Sequence, residues 1–64
     1  MKEYQQIITD EKKDLDSKIG RLTVLVESEE FDSINPAEQV RMKQQRTIMK
    51  QYSDVLGARI QNFM

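Results

Sequence analysis

Apolar residues recur at Tyr4, Ile8, Leu15, Ile19, Leu22, Leu25 and Val26, at three- and four-residue steps and their multiples, which gathers them on one face of a helix. Between Glu3 and Glu27 there is no proline and a single glycine. The pattern therefore predicts a helix over about residues 3–27, roughly 38 Å long at ~1.5 Å per residue. Gly20 weakens it by up to ~1 kcal/mol relative to alanine. Either a close approach by another backbone or ligand compensates, or Gly20 is a tolerated surface glycine.

A second helix announces itself at Asn35-Pro36-Ala37-Glu38. Asparagine suits the N-cap, proline the first helical position, and a glutamate two residues after the proline is placed to reach back to the cap. From there Met42, Met49, Leu56 and Phe63 repeat every seven residues, flanked by Ile48, Tyr52, Val55 and Ile60, so the helix is expected over about residues 36–62. Gly57 is its one weak point. The connection, about residues 28–34, carries Phe31 and Ile34 among acidic residues and reads as a helical turn or compact loop with two apolar anchors. A connection this short makes the helices antiparallel neighbours. The fold class that follows is all-α: one domain over residues 1–64, an antiparallel two-helix hairpin assembling into a homo-oligomeric helical bundle.

Size drives the oligomer. Sixty-four residues bury little apolar surface, and the chain has neither cysteine for a disulfide nor histidine for zinc or general-base work, so association is the remaining source of stability. The net charge of −1 offers no field for a phosphate backbone, so nucleic acid is not an expected partner. Charge is nonetheless segregated: residues 1–32 carry five basic and nine acidic groups, residues 33–64 five basic and two acidic. Opposite charges thus meet when one helix packs on the other, which sets register more than stability. The longest apolar stretch, Leu22 to Val26, is far short of the ~20 residues that span a bilayer, and the polar start is unlike an export signal. A soluble, cytoplasmic protein with no membrane partner is the expectation.

Polar residues intrude on both apolar stripes. The lines Tyr4, Glu11, Lys18, Leu25 and Gln45, Tyr52, Arg59 place them where neighbours are apolar. Folding back near residue 32 sets Glu11 opposite Tyr52, Lys18 opposite Gln45 or Arg46, and Tyr4 near Arg59 and Ile60. Two readings stand open. Glu11, Tyr52 and Arg59 form a register-fixing network within or between subunits, or the polar positions form a ligand pocket. In the second, Tyr4 stacks on a base while Lys18, Arg21 or Arg59 meets phosphate. Lys12-Lys13 reads as a solvated face, as do the acidic pairs Asp10/Asp14 and Glu27/Glu30, so no metal or cofactor is expected. The four methionines fit a packed helix face. No phosphate loop, nucleophile elbow or zinc motif is present.

As a whole, Tyr4-Gln5-Gln6-Ile7-Ile8-Thr9-Asp10-Glu11-Lys12, then Leu15, Lys18-Ile19, Leu22, Ser28 and Phe31, form an extended pattern. Gln45, Met49, Tyr52-Ser53, Leu56-Gly57, Arg59-Ile60 and Phe63 continue it. This pattern resembles the helical-hairpin family of phage anti-defence sponges, which sequester the cyclic nucleotide or cyclic ADP-ribose signals of the CBASS and Thoeris immune systems. The resemblance implies a symmetric homo-oligomer, often a hexamer, that holds its signal between subunits through an aromatic and basic residues. Tyr4 and Lys18 have that character on the first helix, and Arg59 on the second. The expected activity is binding without chemistry, consistent with the missing histidine. A helix-in-groove protein interaction module is the rival reading.

Overall fold

The computed structural model describes residues 2–63 and is helical throughout its regular structure: α1 spans Glu3–Val26, a 3₁₀ turn spans Glu29–Ser33, and α2 spans Pro36–Gln61. At ~1.5 Å per residue the two helices run about 36 and 39 Å. They lie antiparallel, forming a hairpin of 47 × 14 × 13 Å.

Local chemistry sets each boundary. At the start of α1 the Gln5 side-chain Oε1 accepts from the Lys2 backbone N–H at 3.0 Å. Its far end closes when Ser28 Oγ donates to the Leu25 carbonyl at 2.7 Å, satisfying an orphan acceptor of the last turn. The connection tightens into the 3₁₀ turn around Phe31, which is buried, while Ile34 is half-buried. Gln39, one turn into α2, holds this elbow by donating to both the Phe31 and Ile34 carbonyls at 2.8 Å. Lys43 covers the elbow from outside, its ammonium 5.5 Å from the Phe31 ring centre.

Asn35 caps α2, its side-chain oxygen accepting from Ala37 N at 2.8 Å, with Pro36 opening the helix. The expected reach-back from Glu38 is not made. Its carboxylate instead accepts from Arg41 Nε at 2.9 Å, one turn ahead on the same helix. Asn35→Ala should therefore cost about 1 kcal/mol, since no second side chain caps this end. Thermal melting followed by circular dichroism measures it; an unchanged midpoint would show that the cap contributes nothing.

Ile8, Leu15 and Leu56 form the central core, with Ile19, Met49, Ile60 and Phe63 packed against it. The seven-residue line of α2 thus does face α1. Its flanks divide: Ile60 packs against the core, while Ile48, Tyr52 and Val55 are exposed, as are Tyr4 and Ile7 on α1 and Val24 and Val40 nearer the elbow. Two helices present only one line of contact to each other, so residues 100° or so away on either wheel remain uncovered. The accessible surface of 4970 Å² exceeds the roughly 4300 Å² of a compact monomer of this mass. Gly20 faces open space and is a plain surface glycine, whereas a Cβ on Gly57 would lie 3.3 Å from Lys12 Cε.

Candidate ligand groove at the open end of the hairpin

The polar positions interleaved with the stripe sort onto the two sides of the contact line between the helices. On one side Tyr52 donates its hydroxyl to Glu11, joining the helices at the register expected from the fold-back. Arg59 makes no ion pair among the described residues and acts on Tyr52 only through its charge. The three-residue network is therefore a pair with a cation beside it. Donation to Glu11 raises the Tyr52 pKa above 10.0, because losing the proton would break the bond.

On the other side lies a cluster that sequence reasoning missed. Lys12 Nζ crosses to α2, donating to Ser53 Oγ at 2.8 Å and to Asp16 at 3.0 Å, and Ser53 donates in turn to Asp16. Lys12 is thus committed between the helices, not solvated with its neighbour Lys13 as expected. The legible signal was Ser53, a small hydroxyl at a buried position, with Gly57 one turn on leaving room for the lysine stem.

Ser53 first, then Lys12, hold the Asp16 carboxyl below its ordinary 3.8. A depressed folded value adds stability above the unfolded pKa, and that contribution disappears as pH falls through the folded value. Asp16→Asn should accordingly flatten the fall in melting temperature below pH 3.8, with little change in the slope near neutrality. An unaltered acid limb would assign that instability to other carboxylates.

Of the residues expected at a ligand site, the structure unites two. Tyr4 and Arg59 line one groove at the open end of the hairpin, together with Val55, Ala58, Asn62 and Phe63. The Tyr4 and Phe63 rings meet edge to face, centres 6.0 Å apart at 81°, which fixes the tyrosine plane. Lys18 and Arg21 lie elsewhere. Lys18 is on the same side of α1 as Tyr4 and Glu11, at seven-residue steps, but about 21 Å from Tyr4 along the axis. It pairs with Asp14 at 3.0 Å while remaining exposed, and Arg21 is also exposed. One chain therefore holds an aromatic and one cation at its end, and two cations further along the same side.

The groove differs electrostatically from other surface depressions. Those lined by Thr9, Lys12, Lys13 and Asp16, and by Asp10, Lys13, Asp14 and Ser17, combine lysines with carboxylates. In a third, beside Ile48 and Met49, Arg41 is paired with Glu38. Among the described residues that line the Tyr4–Arg59 groove, none carries a carboxylate. Among the described residues, no group of three or more acidic side chains could hold a metal ion.

This fold and surface define a class: a two-helix hairpin with an open apolar face and a cationic, aromatic groove. The chain belongs to the Sequestin family, whose model matches residues 1–62. No curated relative and no solved structure matches it. No helix among the described residues is long and apolar enough to cross a membrane.

Proposed function

We propose that this protein sequesters a small nucleotide signal, a cyclic nucleotide or cyclic ADP-ribose, binding it without altering it and lowering its free concentration. The observation that carries the reading is the Tyr4–Arg59 groove, where an aromatic ring adjoins a guanidinium that, among the described residues, has no ion-pair partner and no carboxylate beside it. Base stacking and charge-assisted bonding to phosphate need those two groups. The family's name points to sequestration, and the sequence pattern is similar to that of phage anti-defence sponges, so the setting we propose is the cytoplasm of an infected host.

The working form is a homo-oligomer, a hexamer if the resemblance extends to assembly. Tyr4, Ile7, Ile48, Tyr52 and Val55 give the hairpin a face that a second copy would cover. Lys18 and Arg21, too far along α1 to reach the groove of their own chain, would complete that of a neighbour. The same exposed apolar residues support the rival reading, a module that docks another protein with no small-molecule ligand.

Calorimetric titration with cyclic di- and trinucleotides and cyclic ADP-ribose isomers, followed by recovery of the ligand after heating, tests the proposal. Saturable binding and unaltered ligand are expected. Absence of binding across the panel refutes it in favour of the docking module, and altered ligand would make the protein an enzyme. Light scattering should give a multiple of 7.6 kDa, and a value of 7.6 kDa at micromolar concentration would refute the oligomer.

A further inference from the structure

Asn62 ends α2 and lines the Tyr4–Arg59 groove. Its side-chain Nδ2 donates to the Ala58 carbonyl at 2.7 Å. A carbonyl only accepts, so the amide nitrogen must be the atom that faces it. This bond orients the amide, and among the described residues neither the Oδ1 acceptor nor the second N–H takes a protein partner. An amide in that state complements a base edge that offers a donor beside an acceptor. Adenine presents that pattern on both edges, its N6 amino group lying between N7 and N1, whereas guanine presents a donor beside an acceptor only on its Watson–Crick edge, N1–H next to O6, its N7 edge offering two acceptors.

The remaining groups of the groove divide the rest of a nucleotide. Val55, Ala58 and Phe63 make the walls apolar, Tyr4 offers a ring held in place by Phe63, and Arg59 brings the one charged side chain among the described lining residues. Among the described lining residues, the Asn62 amide is the neutral side chain that presents an acceptor and an N–H donor side by side, the Tyr4 hydroxyl being a single O–H at the rim of its ring.

We infer that Asn62 reads the edge of a base stacked on Tyr4, so that the groove favours nucleotides whose base carries an amino donor beside a ring-nitrogen acceptor, adenine above all. The inference rests on the nucleotide reading proposed above and adds the base class and the residue that selects it.

The test is a double-mutant cycle read by calorimetry, with 3′,5′-cyclic di-AMP and its counterpart bearing unsubstituted purine in place of adenine. Removing the amino group deletes the donor without adding bulk. The wild type should bind the purine analogue about tenfold more weakly, as expected for loss of a hydrogen bond that leaves Oδ1 unpaired. Asn62→Ala should bind cyclic di-AMP about tenfold more weakly and show no further loss with the analogue. Melting and light scattering on Asn62→Ala establish that this exposed position leaves the assembly intact. If the wild type binds both ligands equally, or Asn62→Ala discriminates as the wild type does, Asn62 does not read the base. Cyclic di-AMP binding by the wild type separates that failure from failure of the nucleotide reading itself, in which neither this probe nor any other nucleotide would bind.

Discussion

Leu56→Asp is expected to unfold the hairpin. Leu56 is the most deeply buried side chain, 0% exposed, and it sits between Ile8 and Leu15 of α1 and the half-buried Met49 and Ile60 of α2. Lys12, the basic side chain that enters between the helices beside this cluster, is already engaged by Ser53 and Asp16. A carboxylate placed there has no partner, and burying it costs several kcal/mol on top of the packing lost. Stabilities of small domains are of the same order, so one such substitution exceeds the margin. The predicted outcome is loss of cooperative melting, together with loss of the proposed oligomer, read by circular dichroism and light scattering. Val24→Asp provides the contrast. Val24 is 70% exposed, so it should leave the hairpin itself folded. A Leu56→Asp variant that keeps the wild-type midpoint and mass would show that the core has been assigned to the wrong face of α2.

α1 was legible from an apolar period close to the helical repeat, and α2 from that period together with the cap at Asn35-Pro36, two independent signals that agreed. Phe31 could be assigned as an anchor because it is the one aromatic in an acidic connection, and it is buried. Pattern alone could not say which flank of each stripe faces the partner helix. Positions such as Tyr52 and Ser53 are adjacent in sequence but lie on opposite sides of the contact line. Tyr52 takes Glu11 on one side, and Ser53 takes Lys12 and Asp16 on the other. Lys12 was misread for a related reason. A lysine between polar neighbours looks solvated until the position of Gly57 shows that its stem has somewhere to lie.

The site was legible by residue type but not by grouping. Tyr4 and Arg59 converge because the fold-back sums their positions to nearly the chain length, a relation available from sequence. Phe63 joins them as the last position of the seven-residue repeat, whereas Asn62, the C-cap of α2, lies off that stripe, where a periodicity argument does not reach. Lys18 and Arg21 shared the right chemistry and the right side of α1, yet axial distance is invisible to a helical wheel, which projects all turns onto one circle. That distance makes their role in the groove a question about a second chain.

Tyr4→Ala and Lys18→Ala together decide it. Tyr4 would supply stacking of ~1–3 kcal/mol to a bound base. A factor of ten corresponds to ~1.4 kcal/mol, so Tyr4→Ala should weaken binding by roughly tenfold or more. Tyr4 is exposed and outside the core, so the hairpin should survive the change, although the edge-to-face contact with Phe63 is lost. Lys18→Ala removes only an exposed pairing with Asp14, which contributes well under 1 kcal/mol to folding. A comparable loss of affinity from Lys18→Ala, at unchanged melting temperature and mass, requires that a neighbouring chain bring Lys18 to the ligand. Mixing the two variants supplies the decisive measurement. If each site takes Tyr4 from one chain and Lys18 from another, a mixed assembly contains some sites with both residues intact and some with neither, and calorimetry should recover a fraction of high-affinity sites. If Tyr4 and Lys18 act within one chain, or Lys18 does not act at all, mixing creates no sites better than those of the variants alone. Arg59→Ala completes the set: with no ion pair to lose among the described residues, it should lower affinity and leave melting nearly unchanged. A drop in stability without a drop in affinity would instead make Arg59 part of the scaffold and leave the groove without its cation.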